Sequence, residues 1–456
     1  MADPRALACD ALAALERDGG FAKDLLDVMR PGVDDPRDKA LLTEIVYGTV
    51  RRLPTLDHLL ADASKTPLGR LDPPVRAALR AGLYQALYLA RVPPHAAVDA
   101  AVRYAKATTN PRYAGFVNGV LRNLLRSVEG PATPPEDPLR DLPRDDAPPL
   151  RFRRPVFPAP GEDPAGNLAV RWGHPVWLVR RWLGRHPTET TRAMLDAGVS
   201  RPPLSLRARP GGRDELLRAL STAGVVARAG DAPDEVVVDG GDAAAIPAVR
   251  EGRAAVQDGT AQRVAPLLDV KAGDRVLDLC AAPGGKSIHV LELLGARGEV
   301  VAADVSPEKV EALASTLAAR SSREGLVARA LLVAAEGPLP FAPDSFHAVL
   351  VDAPCTNTGV LRRRPEARLR LKERDVAALA TAQRALLERS WPLVRPGGRL
   401  VYATCSVEPE ENEGNAAAFA SAHPDARRLP GFEVLPSRDR DGGFAAVFER
   451  TSPART

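Results

Sequence analysis

Strand and helix patterns alternate along this chain from about residue 256 to its end. Short apolar segments such as DRVLDLC, EVVAADV, HAVLVDA and GRLVYATCS are typical of buried strands, and segments with helical spacing, such as VAALATAQRALLERSWPLV, separate them. Strands that alternate with helices form a mostly parallel sheet that is covered on both faces. We therefore predict a doubly wound, Rossmann-like α/β domain over 256–450, with FEVLPS and GFAAVFERT as two final antiparallel strands.

Three regions with other patterns precede this domain. In 1–130, apolar residues recur at helical spacing, as in KALLTEIVYGTVRRL and VRAALRAGLYQALYLA, which predicts an all-α bundle. Residues 131–165 are dense in proline and charge and predict a linker that does not order itself. Residues 166–255 combine helical segments with the strand-like PPLSLRAR and DEVVVD, which predicts a small α+β domain.

The cysteine content and the apolar runs limit the class of protein. Four cysteines in 456 residues are too few for a disulfide framework, so we expect reduced thiols and a cytoplasmic location. No secretory signal pattern opens the chain, and no apolar run approaches the roughly 18 residues of a membrane helix. We also expect a monomer that has no membrane partner and no metal.

Positive charge is clustered in two places, although the net charge is only +4. Residues 50–130 hold 12 Lys and Arg against 5 Asp and Glu, and a second basic run, LRRRPEARLRLKER, covers 361–374. Such clusters attract phosphate groups, which would suit an RNA partner. Solvated arginine faces without a partner explain either cluster equally well.

A glycine-rich turn follows the first strand of the α/β domain. Its two glycines let the backbone approach a ligand, and the helix that follows offers free N–H groups. The second strand ends in Asp304, where an acid is placed to bind ribose hydroxyls. We predict a nucleotide-type cofactor site formed by Cys280, Ala281, Ala282, Pro283, Gly284, Gly285 and Lys286 of the turn, with Asp304 and Asp352.

Two cysteines stand at the ends of later strands. Asp352 lies at the carboxyl end of the strand HAVLVDA, Cys355 follows that strand, and Cys405 ends the strand GRLVYATCS. The carboxyl ends of parallel strands meet at one edge of a sheet, so we expect a carboxylate and two thiols to lie together over the cofactor. A free cysteine is more often a small buried apolar residue, which fits Cys9 and could also fit Cys280.

These motifs resemble a known family. DLCAAPGGKS, DAPCTNTG and YATCSVEPEENE are similar to the motifs of S-adenosylmethionine-dependent RNA cytosine-5 methyltransferases. DKALLTEIVYGTVRR, LRAGLYQALYL and GFVNGVLRNLLR resemble the NusB-like RNA-binding domain of the RsmB/Sun (Fmu) family, which methylates small-subunit rRNA. The resemblance covers nearly the whole chain except 131–165.

The resemblance implies a covalent mechanism with S-adenosylmethionine as cofactor. Cys405 would be the nucleophile that adds to carbon 6 of a cytosine, and Cys355 would help to eliminate the enzyme from the methylated base. Asp352 would hold the base edge and favour protonation of ring nitrogen 3, with Lys286 close to Asp352 or to the base. The implied target is position 967 of 16S rRNA or its equivalent, with Arg362, Arg363, Arg364 and the basic 50–130 surface as RNA contacts.

One departure from the family lies after the third strand of the α/β domain. The family usually has an acid there, close to the adenine, and this chain has Val333, Ala334 and Ala335. Either Glu336 replaces the acid, or apolar packing and backbone groups hold the adenine.

Two other functions are compatible with parts of the sequence. A tRNA cytosine-5 methyltransferase would share the motifs, but the helical front domain argues against it. A non-catalytic RNA-binding or assembly factor would share the front domain, but Cys405 and Asp352 are both present.

Overall fold

The computed structural model describes residues 3–145, 147–238, 243–318 and 325–451. The chain forms two compact units. The first contains Met1–Arg201 and Leu361–Arg370, and the second contains Pro202–Val360 and Leu371–Thr456. The division differs from the predicted one, because the first unit extends far beyond residue 130 and includes a segment from within the α/β region.

The first unit begins with a helical bundle, as predicted. Several helices start at an Asp-Pro pair, where the aspartate caps the helix and the proline takes the first helical position. Asp3 accepts a hydrogen bond from the Arg5 N–H at 2.9 Å, and Asp35 accepts one from the Arg37 N–H at 2.7 Å. The helices are α1 (Pro4–Asp18), α2 (Ala22–Met29), α3 (Pro36–Arg51), α4 (Leu53–Ala63), α5 (Pro73–Tyr88), α6 (Pro94–Thr108) and α7 (Arg112–Arg126).

The described residues of the segment 131–165, which are all but residue 146, form defined structure, so the expectation of an unstructured linker is wrong. It contributes to a three-stranded antiparallel sheet of order β1-β3-β2, formed by β1 (Val128–Pro131), β2 (Asp141–Leu142) and β3 (Leu150–Phe152). Its few apolar side chains, including Phe152 and Phe157, join the core of the bundle. The segment orders against the helices rather than by itself, which composition alone does not show.

Three further helices belong to the first unit, although we predicted them in a middle domain over 166–255. They are α8 (Pro164–Trp172), α9 (Val176–Leu183) and α10 (Thr188–Val199). Trp172 and Trp182 are buried in this unit. The Thr55 hydroxyl of α4 donates a hydrogen bond to the Val170 carbonyl of α8 at 2.6 Å, which joins these helices to the bundle.

The second unit opens with a small α+β sheet. Its elements are β4 (Leu204–Ala208), α11 (Arg213–Thr222), β5 (Ala227–Ala229), β6 (Glu235–Val238), α12 (Pro247–Arg250) and β7 (Ala254–Val256). The four strands are antiparallel in the order β5-β6-β4-β7. Leu206, Leu216, Leu220 and Val236 are buried between the sheet and α11.

A seven-stranded sheet forms the rest of the second unit. Its order is β10-β9-β8-β11-β12-β14-β13, with the first five strands parallel and the last two antiparallel, as predicted. The elements are α13 (Gly259–Gln262), β8 (Arg275–Leu279), α14 (Gly285–Leu294), β9 (Gly298–Asp304), α15 (Pro307–Ala318), β10 (Leu326–Leu332), β11 (Phe346–Asp352), α17 (Glu373–Ser390), β12 (Val394–Thr404), α18 (Glu413–Ala422), β13 (Ala426–Val434) and β14 (Gly443–Arg450). The helix α16 (Pro365–Arg370), between β11 and α17 in the sequence, belongs to the first unit.

The short helix α16 packs in the first unit, and this changes the interpretation of the basic run 361–374. Arg362 and Arg368 are each only 1% exposed. The Arg368 guanidinium donates to the Arg51 carbonyl at 2.8 Å, and the Arg51 guanidinium donates to the Arg362 carbonyl at 3.1 Å. Burial, with the neighbouring Arg52 and Arg51, lowers the pKa of Arg368 to about 9. The expectation that Arg362 contacts RNA is therefore wrong, since its side chain is used inside the protein.

Candidate active site

The carboxyl ends of β8, β9, β11 and β12 carry the residues that the sequence singled out. Asp352 is the register partner of Ala403, so Asp352 and the end of β12 lie side by side. β8 pairs with both β9 and β11, which places the glycine turn between Asp304 and Asp352. The parallel pairing therefore brings the predicted cofactor and cysteine motifs to one edge of the sheet.

The glycine turn leaves open space where a ligand could approach the backbone. Gly284 has φ +103°, and a Cβ added there would lie 2.9 Å from Leu313 Cδ1, so this position requires glycine. Gly285 begins α14, and no atom lies within 4 Å of the position that its Cβ would take. Free N–H groups of the first turn of α14 border that space.

The groups around the turn fit a nucleoside cofactor. Asp304 is 5% exposed, and its Oδ1 accepts hydrogen bonds from the Val305 and Ser306 N–H groups at 2.8 and 3.3 Å, which fixes the carboxylate at the end of β9. Val305 and Leu332, after β9 and at the end of β10, are both half exposed and provide apolar surface. An ordered acid beside exposed apolar side chains is suited to a ribose and a flat base.

Cys280 contributes backbone rather than a reactive thiol. It adopts φ +60° directly after β8. Burial, with the negative charge of Asp304, raises the pKa of Cys280 to about 12, so the group stays a neutral thiol. An unreactive thiol fits the alternative that Cys280 is a small apolar side chain, and its contact with a cofactor stays a prediction.

The stretch that lacks the expected acid is held by an arginine. The Arg389 guanidinium of α17 donates to the carbonyls of Ala334 and Ala335 at 2.9 and 2.6 Å. Glu336 is exposed on the bend that follows. The backbone here is therefore fixed without a carboxylate.

Lys286 and Asp352 form an ion pair. Lys286 Nζ lies 2.6 Å from Asp352 Oδ2, and both side chains are partly buried. Burial lowers the pKa of Lys286, but the charge and hydrogen bond of Asp352, with a smaller effect of Cys405, outweigh it and raise that pKa. The lysine therefore stays protonated beside the carboxylate and near Cys405.

The two strand-end cysteines are in contact and are not joined by a disulfide. Their Sγ atoms lie 3.1 Å apart. The hydrogen bond with Cys405, followed by burial, raises the pKa of Cys355 well above its ordinary value. Cys355 is 8% exposed and Cys405 is half-buried, so Cys405 is the more accessible of the two.

The structure adds residues that the sequence analysis did not single out. Asn357 has φ +60°, its side-chain oxygen lies 3.2 Å from Cys405 Sγ, and its side-chain nitrogen donates to the Cys355 carbonyl at 2.8 Å. Glu411 is fully buried behind the cysteines. An asparagine two residues after Cys355 is the signal that could have found Asn357. Glu411 is one of several acids in the loop SVEPEENEG after β12, and composition does not distinguish it from its exposed neighbours.

Within residues 3–145, 147–238, 243–318 and 325–451, no helix is long and apolar enough to cross a membrane. In the same ranges, no group of three or more His, Cys, Asp or Glu side chains is arranged to hold a metal ion.

Comparison with known proteins extends these findings. Residues 265–442 match the model of the 16S rRNA methyltransferase RsmB/F family, 2–126 match the NusB family, and 174–242 match the ferredoxin-like domain of Methyltr_RsmF/B-like proteins. Proteins named ribosomal RNA small subunit methyltransferase B from Cronobacter sakazakii and Sodalis glossinidius are 33% and 35% identical over 96% of this chain and 96% of their own.

Solved structures share the fold. A crystal structure titled PH0851 aligns over 99% of both chains with a TM-score of 0.76 and 24% identity. NSun6 from Pyrococcus horikoshii with SFG aligns over 61% of this chain and 99% of its own, with a TM-score of 0.52 and 18% identity.

The sheet order, the glycine turn and these matches define a methyltransferase with a Rossmann-like catalytic domain and a NusB-like helical domain. The chain belongs to the RsmB/Sun family of ribosomal RNA methyltransferases. The methyl donor is S-adenosylmethionine.

Proposed function

We propose that this protein transfers a methyl group from S-adenosylmethionine to carbon 5 of one cytosine in 16S rRNA, through a covalent bond between Cys405 and carbon 6. The observation that carries the proposal is the contact of Cys355 and Cys405, whose Sγ atoms lie 3.1 Å apart beside the Lys286–Asp352 pair. The resemblance indicates the target nucleotide, and the NusB-like domain supports an rRNA substrate over tRNA.

The chemistry explains why two thiols are useful. Carbon 5 of cytosine is a poor nucleophile, and addition of the Cys405 thiolate to carbon 6 moves electron density to carbon 5, which can then accept a methyl group. S-adenosylmethionine supplies, when bound, a methyl group on a positively charged sulfur. Loss of the carbon 5 proton then lets the carbon 6–sulfur bond break, and the electron pair returns to the Cys405 sulfur.

The surroundings of the two cysteines suit separate roles. Cys355 holds its proton strongly, so its S–H can donate to the Cys405 sulfur while that sulfur is a thiolate. In the elimination step, the Cys405 sulfur is bonded to carbon 6, so its hydrogen bond and charge no longer raise the pKa of Cys355. Cys355 can then lose its proton to solvent and accept the carbon 5 proton as the carbon 6–sulfur bond breaks. Cys405 is the attacking group because it is the more accessible thiol and lies near the protonated Lys286.

Asp352 and Lys286 are placed to handle the base. A carboxyl group at the end of β11 can hydrogen-bond the ring nitrogen 3 and amino group of cytosine, which favours the protonated ring and eases attack at carbon 6. Lys286, which keeps its charge beside Asp352, orients the carboxylate and stabilises the negative sulfur. The cytosine must leave its stack to reach these groups.

We propose that the face of α6 and α7 binds RNA. Arg103 and Lys106 of α6, with Arg112, Arg122 and Arg126 of α7, are exposed. By contrast, Arg51 and Arg52 of the same basic region are buried. We therefore assign the RNA contact predicted from the basic residues of 50–130 to the α6–α7 face. We propose that the substrate is free rRNA or an early assembly intermediate, and that the protein acts as a cytoplasmic monomer.

The proposal is tested by incubating the purified protein with labelled S-adenosylmethionine and unmodified 16S rRNA, with tRNA transcripts in parallel. Label in 5-methylcytidine after digestion of 16S rRNA supports it. Label mainly in tRNA would favour the tRNA enzyme, and RNA binding without transfer would favour the assembly factor; either result would contradict the proposal.

A further inference from the structure

Glu411 is a carboxylate with no access to solvent. Its side chain is 0% exposed in the turn between β12 and α18, six residues after Cys405. A buried carboxylate is strongly destabilising unless hydrogen bonds replace its water. The hydrogen bonds of Glu411 therefore indicate its role in the protein.

Four uncharged donors surround this carboxylate, two on each oxygen. Oε1 accepts from the Thr356 N–H and from Gln383 Nε2, both at 2.9 Å. Oε2 accepts from the Thr356 and Ser406 hydroxyls, both at 2.5 Å. The carboxylate is thereby saturated by groups from three separate segments of the chain.

Two of these partners directly follow the reactive cysteines. Thr356 follows Cys355, and Ser406 follows Cys405, so the carboxylate bridges the two turns that carry the thiols. The cysteines are 50 residues apart in sequence, and the ends of β11 and β12 bring them together. Direct contacts between the turns, such as that of the Thr356 and Ser406 hydroxyls at 3.0 Å, surround the same carboxylate.

Gln383 of α17 connects Glu411 to further buried groups. Gln383 donates both to Glu411 and to the carbonyl of Pro354, the residue before Cys355, at 2.9 Å each. The Gln383 oxygen in turn accepts from the Tyr402 hydroxyl and from Asn415 Nδ2, also at 2.9 Å. Both sides of Cys355 are therefore tied to one buried network.

We infer that Glu411 is a positioning residue, which holds the Cys355 and Cys405 turns together so that Cys405 keeps its position for attack and the two sulfurs stay in contact. This inference rests on the proposed function. It predicts that loss of the carboxylate slows the covalent steps while cofactor and RNA binding remain, because the Glu411 side chain is fully buried and bonded to Thr356, Ser406 and Gln383.

The test measures the rate at which a Cys355→Ala protein forms its covalent RNA adduct in a single turnover. Glu411→Ala in that background should slow adduct formation about 100-fold, since displacement of a reacting group by about 1 Å has an effect of this order. Binding of S-adenosylhomocysteine and of RNA should stay within about twofold, because neither ligand contacts Glu411.

The conservative change and a neighbour serve as controls. Glu411→Gln keeps one oxygen for the Thr356 N–H and Gln383, and its amide can donate to the two hydroxyls, so the rate should recover to within about tenfold of the parent. Glu413→Gln changes an exposed acid of α18 that pairs with Arg428 at 2.8 Å, and it should leave the rate unchanged.

Parent-like adduct formation in Glu411→Ala would overturn the inference, as would a parallel loss of S-adenosylhomocysteine binding, which would mark a general structural role. If Glu411→Ala does not fold, Ser406→Ala provides the test, because it removes one hydrogen-bond donor and keeps the carboxylate. Ser406→Ala should lower the rate of adduct formation about tenfold. An unchanged rate would overturn the inference.

A measurement without RNA separates this inference from the proposed function. A trivalent arsenical that binds two neighbouring thiols should be captured by the protein with both cysteines intact, and more weakly by Glu411→Ala. If the Cys355→Ala parent forms no adduct, the proposed function fails. Weaker arsenical capture by Glu411→Ala would still support the positioning role of Glu411. Equal capture by Glu411→Ala and the parent would overturn that role.

Discussion

Cys355 Sγ and Cys405 Sγ lie 3.1 Å apart, although the residues are separated by 50 positions in the sequence. The parallel pairing of β11 with β12 brings their turns together, and the raised pKa of Cys355 keeps a proton between the sulfurs. Because only one thiol can be the nucleophile, the pair supports a division between an attacking and a releasing group.

The ion pair of Lys286 and Asp352 should act as one unit. Lys286→Met and Asp352→Asn should each lower kcat about 100-fold, the usual scale for an acid–base group, and the double variant should lose little more than either single variant. Single-turnover methyl transfer measures this. Lys271→Met, an exposed lysine of the same domain, is the control. Losses that multiply in the double variant would show that the two residues act independently.

Substitution of the two glycines of the cofactor turn should affect protein stability and cofactor affinity differently. Gly285→Ala places a methyl group in open space, so it should leave the melting temperature unchanged and weaken binding of S-adenosylhomocysteine. Gly284→Ala forces an alanine into φ +103° against Leu313 and should lower both, with a stability loss of about 1 kcal/mol or more. Calorimetric titration and thermal unfolding check this. Normal affinity in Gly285→Ala would mean that the cofactor does not approach this glycine.

Asp278 should make stability depend on pH. Burial, partly offset by the Ser287 hydrogen bond, raises its pKa from 3.8 to about 7. Since the folded pKa is the higher one, the stabilising contribution is complete below about pH 4 and is lost as the pH rises through about 7. Urea unfolding at several pH values should show this loss in the parent and not in Asp278→Asn. Asp269→Asn, at an exposed carboxylate, is the control; equal pH profiles for the parent and Asp278→Asn would refute the prediction.

Charge reversal on the α6–α7 face should weaken RNA binding. Arg103→Glu with Arg122→Glu should lower affinity for 16S rRNA and reduce the dependence of affinity on salt, because fewer counterions are released. Filter binding at several salt concentrations measures both. Lys23→Glu, on the exposed face of α2, should have little effect. If Lys23→Glu lowered RNA affinity as much as Arg103→Glu with Arg122→Glu does, the RNA contact would lie elsewhere.

Several parts of this structure could be predicted from the sequence because local pattern determines them. The alternation of strands and helices predicts the parallel sheet, and strand ends predict that Cys355, Cys405 and Asp352 meet at one edge. Composition failed where order comes from tertiary contact. Residues 131–165 fold because Phe152 and Phe157 enter the core of the bundle.

The other differences between the sequence-based predictions and the structure also arise from tertiary contacts. The basic run 361–374 was expected to be exposed, yet Arg362 and Arg368 within it are buried in the first unit, where the Arg51 guanidinium donates to the Arg362 carbonyl. Asn357 and Glu411 act through hydrogen bonds between segments far apart in sequence, and no spacing rule reports such contacts.

The most direct test of the covalent mechanism compares two cysteine variants on a denaturing gel after incubation with 16S rRNA and S-adenosylmethionine. Cys355→Ala should accumulate a protein–RNA adduct, because the bond from Cys405 to the base forms and is not released. Cys405→Ala should give no adduct, because the attacking thiol is missing. Adducts from both variants, or from neither, would contradict the assignment of Cys405 as nucleophile and Cys355 as the releasing group.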